Sequence, residues 1–353
     1  MVEFSDFPVP ESVGIMLAHS LTTATGRYRK GQVLSARDVA DLQAAGVVRV
    51  SGARLGPEDV AENPAAQSVA EFLCGKNLSL RQARGGRCNL HAEVAGVLTV
   101  DAERIIAANL VNESIAIGTL PPWSVTRPGQ VVATVKIIPC GVRRDLLAAC
   151  RQRLEASGTP PLNVAPWRPY RAGLIVTTLP GQRAKSSPPI RLAMQQRLAV
   201  LGSTLVFEAS CAHATTQIAA ALLRAKSQGC ELILISGAAG TKDRRDTVPG
   251  GVTAAGGRIE RFGLPVEPGN MLLMAWLDEV PVLVLPGCAR SQRLNGVDWV
   301  LQRLHAGLPP GEREWAAMGV GGLIRSSPGP FPDWPRGEGD HSDHSGNTDA
   351  GDE

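Results

Sequence analysis

Between Glu231 and Ile235 the chain reads Glu-Leu-Ile-Leu-Ile, and it then breaks into Ser-Gly-Ala-Ala-Gly from Ser236 to Gly240. A run of consecutive aliphatic residues has no polar face. As a strand it must be covered on both sides, which a parallel sheet between helix layers provides. The surrounding pattern agrees. Ala172 to Thr178 reads as a strand, Ile190 to Leu201 as a helix ended by Gly202, and Thr204 to Glu208 as a strand. Thr215 to Ser227 reads as a helix stopped by Gly229. Met271 to Leu277 and Pro281 to Leu285 are two more strands, and Asn295 to His305 a last helix. This alternation predicts an α/β domain, a three-layer αβα arrangement with a mostly parallel sheet. Ligands of such sheets bind outside the carboxyl ends of the strands.

The preceding half has a different rhythm. Ser35 can cap a short helix through Ala45, with Asp38 favourable in its first turn. Short strands are expected at Val47 to Val50, Ala95 to Val100, Ser114 to Leu120 and Val131 to Ile138, with a helix from Ala102 to Asn109. Gly158 to Pro161 and Pro166 to Pro169 are dense in breakers and read as a linker. The expected organisation is an α+β region over residues 1–168, the α/β domain over 169–326, and a disordered acidic tail over 327–353. His341 and His344 in that tail read as part of a solubilising segment.

Composition narrows the function. Aromatic residues make up 4% of the 353, too few for a surface that stacks single-stranded nucleic acid. The net charge is +3, but the segment from Pro328 onward carries net −6, so the remainder carries about +9. A mildly basic body suits phosphorylated ligands, and no Lys/Arg block points to nucleic acid. The seven cysteines (74, 88, 140, 150, 211, 230, 288) form no CxxC pair, which argues against thiolate zinc and for a reducing compartment. No apolar run approaches a membrane span, and the first residues lack a signal-peptide pattern. The expectation is a cytoplasmic protein with neither a membrane nor a nucleic-acid partner.

The loop after the apolar strand concentrates the chemistry. Ser236, Gly237, Ala238, Ala239 and Gly240 let the backbone turn sharply and present N–H groups to an anion. Asp243, Arg244, Arg245 and Asp246 follow. The arginines can neutralise phosphate, and Asp243 and Asp246 are candidate metal ligands for Mg²⁺ or partners of a polar ligand edge. Asp246 or Thr247 can cap a helix starting near Val248, with Pro249 in its first turn. The plain alternative is a tight strand-to-helix turn with solvated charges. Two further loops fall at strand ends: Pro268, Gly269 and Asn270, and Pro286, Gly287, Cys288, Ala289, Arg290 and Ser291. Gly287 permits close approach of a ligand, and Arg290 and Ser291 can reach phosphate oxygens. Cys288 reads more readily as a small buried filler than as a reactive thiol.

Together the three loops resemble the molybdopterin-binding domain shared by the MogA and MoeA families. That domain carries a glycine-rich turn after a strand, then Asp residues, a Pro-Gly loop and a late Leu-Pro-Gly loop. The likeness extends to a bacterial subgroup that stands alone or precedes a molybdenum-cofactor cytidylyltransferase domain. It is carried by Asp243 to Asp246, Phe262 to Asn270, Pro286 to Ser291 and Asn295 to Leu301. In the first half it is carried by Leu17 to Ser20, Lys30-Gly31 and Ala133 to Pro139. The resemblance implies molybdopterin or Mo-molybdopterin as the ligand and a homo-oligomer. It implies as partners a cytidylyltransferase or a molybdenum hydroxylase that receives the cofactor. Catalytic members of the wider family carry an Asp-Asp pair where this chain has Ser210-Cys211-Ala212-His213-Ala214. The Leu179 to Lys185 loop is basic where MoeA relatives are acidic.

Three readings result. The protein binds and hands over molybdopterin in cofactor biosynthesis, which the missing carboxylate pair favours. Alternatively it is a molybdenumtransferase or adenylyltransferase-like enzyme, with Asp243, Asp246 and His213 as the catalytic candidates. Third, the α/β domain takes another phosphorylated small molecule. His213 could serve as an acid/base group near neutral pH or be structural. Lys136, in an apolar strand, reads as a solvated edge position. Arg87-Cys88-Asn89 is a turn that could line a cleft.

Overall fold

The computed structural model describes residues 2–24, 26–181 and 187–324. The acidic tail, with His341 and His344, and most of the basic Leu179 to Lys185 loop lie outside the described residues. The chain divides into two compact units, Met1–Trp167 and Arg168–Glu353.

The second unit is built on one six-stranded sheet. Its order is Thr204–Ala212, Arg171–Thr178, Leu232–Ser236, Val280–Leu285, Leu273–Leu277 and Arg258–Phe262. Five strands run one way and Leu273–Leu277 runs against its two neighbours, so the α/β class and mostly parallel sheet expected from the sequence are present. Leu232–Ser236 is buried along its whole length, as its composition demands. Ile233 and Ile235 pack with Ile218, Leu222, Val248 and Val252 from helices Thr215–Ser227 and Thr247–Ala254. The two helices touch closely: a Cβ on Gly251 would lie 2.6 Å from Ile218 Cγ2. Helix Ser187–Val200 joins the first two strands of the unit and buries Ile190, Met194 and Leu198. Helix Gly296–His305 joins that helix through a buried ion pair, Arg197 Nε to Asp298 Oδ1 at 2.7 Å.

The first unit is α+β. An antiparallel sheet orders Ile115–Thr119, Val131–Ile137, Arg87–Ala92 and Leu78–Leu80. Helices Glu62–Leu73 and Arg144–Glu155 contribute Ala65, Val69, Leu147 and Leu154 to the core beneath it. Ser35 and Asp38 form a capping box on helix Ala36–Ala44.

Several expectations need correction. The strand expected to stop at Glu208 runs to Ala212, so only His213 and Ala214 turn before the next helix. Its exposure alternates residue by residue with no breaker to end it. The stretch read as linker contains strand Leu162–Pro166, paired with Gly96–Val100. Lys136 is not a solvated edge position: half-buried, it donates from Nζ to the Gly85 carbonyl at 2.6 Å.

Candidate functional site

In the sheet order the first strand of the unit lies between the second and the third. The chain thus reverses direction across the sheet between Arg171–Thr178 and Leu232–Ser236. A reversal of this kind opens a crevice at the carboxyl ends of the two strands. The residues at those ends are Thr177, Thr178 and Ser236. The turn His213–Ala214, the loop from Gly237 to Asp246 and the segment from Pro286 to Ser291 leave the same edge. Strand Leu273–Leu277 is antiparallel, with Leu273 opposite Val284, so the Gly263 to Leu272 loop reaches that edge too.

Thr177 organises the crevice, although the sequence did not single it out. Its side chain is buried, and Oγ1 accepts the Ala238 N–H at 2.8 Å. The same oxygen lies 2.8 Å from His213 Nδ1. With Oγ1 already accepting from the backbone, its own hydrogen can go to Nδ1, which leaves Nε2 as the ring nitrogen that carries a hydrogen. His213 N–H donates to the Thr178 carbonyl at 2.9 Å, so ring and backbone are both anchored to one strand end. The glycine-rich turn is tight for a stated reason: a Cβ on Gly237 would lie 2.7 Å from the Ala239 carbonyl oxygen. Ala239 and Gly240 are exposed, and space beside Gly240 is open.

The charged part of the loop is folded on its own carboxylates. Asp246 Oδ1 accepts the Thr247 N–H at 2.7 Å, capping helix Thr247–Ala254, and Oδ2 accepts the Lys242 N–H at 3.1 Å. These backbone donors hold the Asp246 carboxyl below the usual carboxylate range; nearby His213 adds to the effect and Asp243 opposes it. Asp243 Oδ1 accepts the Arg245 N–H at 2.8 Å, and that bond with the Arg245 side chain lowers its carboxyl as well. Lys242, Arg244 and Arg245 are exposed beside them. The structure thus commits Asp246 to the loop backbone and leaves Asp243 at the solvent edge.

The other loops are held differently. Gly269 has φ +129°, and a Cβ there would lie 2.5 Å from the Gly296 nitrogen. The Pro268 carbonyl accepts the Gly296 N–H at 2.9 Å, so Pro268 and Gly269 are fastened to a helix start while Asn270 is exposed. Pro286 is buried, and Gly287–Arg290 form a short 3-10 turn with Arg290 and Ser291 exposed. Behind the turn, Arg197 donates to three carbonyls: Ala289 at 3.1 Å, Ser291 at 2.8 Å and Arg293 at 3.1 Å. Asp298 balances its charge while closing the capping box with Asn295. Space beside Gly287 is open. Burial pushes the Cys288 thiol up, the character of a packing residue rather than a nucleophile.

A divalent cation finds little here. Both Asp246 oxygens already accept backbone N–H groups, and Asp243 Oδ1 accepts from Arg245. Among the described residues no group of three or more His, Cys, Asp or Glu side chains is arranged to hold a metal ion. Asp246 is thus committed to the loop through both oxygens, and a cation at this loop would draw on Asp243 and on ligand phosphate oxygens. No helix among the described residues is long and apolar enough to cross a membrane.

A family profile described as a domain of unknown function (DUF8806) matches residues 6–54. No curated protein matches the chain. Among solved structures, the molybdopterin biosynthesis enzyme MoaB from Thermus thermophilus is similar at 20% identity and TM-score 0.31, over 40% of this chain and 98% of that one. A molybdopterin biosynthesis MoeA protein from Pyrococcus horikoshii is similar at 14% identity and TM-score 0.26, over 81% of this chain and 70% of that one. CinA from Thermoplasma acidophilum, a protein of unknown function, is similar at 14% identity and TM-score 0.28, over 34% of this chain and 90% of that one.

Proposed function

We propose that the second unit binds molybdopterin at the carboxyl edge of its parallel sheet, and that the protein holds the cofactor and hands it to a nucleotidyltransferase or a molybdenum enzyme. The observation that supports this reading best is the Thr177–His213–Ala238 node at the strand crossover. It fixes the small-residue turn that the sequence resemblance associates with the pterin ligand. The turn offers backbone N–H groups and the neighbouring Lys242, Arg244 and Arg245 offer positive charge, both suited to a phosphate. Open space beside Gly240 and Gly287 leaves room for the ligand against the backbone. Arg290, Ser291 and Asn270, exposed on the facing loops, would meet the rest of it.

Handover is preferred over catalysis because Ser210 to Ala214 lacks the Asp-Asp pair of the catalytic relatives and both Asp246 oxygens hold the loop. A transferase reading retains one point in its favour: Thr177 engages His213 through Nδ1, which leaves Nε2 as the ring atom to move a proton.

The test is to purify the protein from cells that make the cofactor, oxidise the bound material with acid iodine, and quantify fluorescent pterin per chain. Near-stoichiometric pterin is expected in the wild type. The D243A/D246A double variant and H213A should lose it, while the full chain stays folded. Turnover with molybdate and nucleotide then separates transferase from carrier. Folded wild-type protein that carries no pterin and ignores added molybdopterin would end this reading and leave a phosphate-binding domain for another ligand.

A further inference from the structure

The first unit contains a cleft of about 740 Å³, within the range of small-molecule sites. Five stretches of sequence meet there: Val2 and Phe4, Ala18-His19 with Lys30, Asp59 with Glu62, Asn112 and Ser114, and Lys136 with Ile138 to Arg143. The arrangement is built around a charged floor. Glu62 Oε2 lies 3.8 Å from Lys136 Nζ, whose other partner is the Gly85 carbonyl. Gly86 makes this possible, since at φ +69° a Cβ on it would lie 2.6 Å from Glu62 Oε2 and 2.8 Å from Lys136 Nζ. Glu62 also faces Gly31, with its Oε1 3.8 Å from where a Cβ would stand, which draws the Lys30 segment onto the same floor. Lys30 and Lys136 line the same cleft as Cys140, whose thiol burial pushes up; Glu62 raises it further, while the two lysines lower it.

The walls are of the opposite character. Phe4 and Ile138, at 64% and 60% exposure, stand at the rim with Pro139, Val142 and Leu146. Such large apolar side chains are costly to leave in water beside a cavity. One wall holds Ser114, whose Oγ is buried with no hydrogen-bond partner among the described residues, an expense that a bound polar group would remove. Arg143 does not add to the floor's charge, because Asp145 engages it at 2.9 and 2.6 Å.

We propose that this cleft is a second small-molecule site, taking an organic anion with a flat or apolar body, its carboxylate or phosphate on Lys30 and Lys136 and its body between Phe4 and Ile138. The site lies wholly in the first unit and is independent of the molybdopterin reading.

The test uses the full chain and four probes by titration calorimetry: 1-naphthyl phosphate, 1-naphthoate, 1-naphthol and inorganic phosphate. One or both naphthyl anions should bind once per chain, at least about tenfold tighter than 1-naphthol and inorganic phosphate. The tighter of the two identifies the anion. K30M, whose side chain is exposed, should weaken the anions about tenfold and leave 1-naphthol unchanged. K136M should do the same, with its unfolding midpoint measured because Lys136 also holds Gly85. A saturating naphthyl anion should slow alkylation of Cys140 by iodoacetamide, read by peptide mass spectrometry. The proposal is overturned if neither anion binds, if 1-naphthol binds as well, or if K30M has no effect. It is overturned equally if Cys140 is unprotected, or if binding disappears in D243A/D246A, which would place it in the second unit.

Discussion

His305 should make the second unit lose stability in mild acid. Its ring is fully buried. Nδ1 lies 2.7 Å from the Leu301 carbonyl, which can only accept, so Nδ1 carries the hydrogen. Nε2 lies 2.8 Å from Ser203 Oγ, and that oxygen accepts the Tyr170 N–H at 2.7 Å, so the serine hydrogen goes to Nε2. Tyr170 packs edge-on at 4.9 Å. The site is complete for a neutral imidazole and has no anion to welcome a second proton. Burial pushes the pKa down to about 4 from an ordinary value of 6.5. The unfolded chain therefore takes up a proton below pH 6.5 that the folded chain refuses until about pH 4. Stability from this group is complete above 6.5 and is lost as the pH falls toward 4. By linkage the loss is ~2 kcal/mol at pH 5 and approaches ~3 kcal/mol below pH 4. Urea denaturation of wild type and H305Q at pH 7 and pH 5 measures it. H305Q should be weaker at pH 7 but should lose ~2 kcal/mol less between the two pH values. NMR titration of the His305 ring should give a midpoint near 4. A folded-state midpoint near 6.5, or equal acid losses in the two proteins, would refute the reasoning.

Three further outcomes are expected. R197M strands Asp298 and releases three loop carbonyls, so it should cost about 3–5 kcal/mol in urea denaturation; R197M/D298L should recover part of that, and a cost under about 1 kcal/mol would contradict the buried pairing. G251A forces a Cβ against Ile218 and should lower stability by about 1–3 kcal/mol, seen as a reduced melting temperature; an unchanged midpoint would mean the helices separate freely. D246A removes the cap on Thr247–Ala254 and should cost about 1 kcal/mol, whereas D246N keeps an acceptor and should cost less. If the two variants melt alike, the Asp246 cap adds nothing to stability.

Elements whose pattern does one job were legible in the sequence. Helices Ala102–Asn109 and Thr215–Ser227 have the limits expected of them, because each sits between clear stops and carries a plain apolar stripe. Leu232–Ser236 announces itself by four consecutive aliphatic residues that leave it no polar face. Strand Arg258–Phe262 did not, since as an edge strand it carries three charged residues and buries nothing fully. Helix Glu62–Leu73 begins Glu-Asn-Pro, which resembles a break until Pro64 is seen in the first turn, where it costs no hydrogen bond. Within the candidate site, the loops could be read but Thr177 could not. A threonine at the end of a strand is ordinary. Its role exists only because residues 36 and 61 positions further along arrive at its hydroxyl.

Arg197 holds the Ala289 to Arg293 segment through main-chain oxygens. Every residue type has such an oxygen, so this hold does not depend on which side chains the segment carries. Arg290 is exposed there, whereas Ser291 Oγ accepts the Arg293 N–H at 3.2 Å and Gln292 Nε2 donates to Gln196 Oε1 at 2.7 Å, so those two side chains help to fix the frame. Replacing Arg290 can change what the edge of the sheet recognises without touching these bonds, and a ligand arriving there meets a surface that needs little ordering on binding. At Arg290 recognition and architecture are thus written in different atoms, and one can drift or be redesigned while the other stays put.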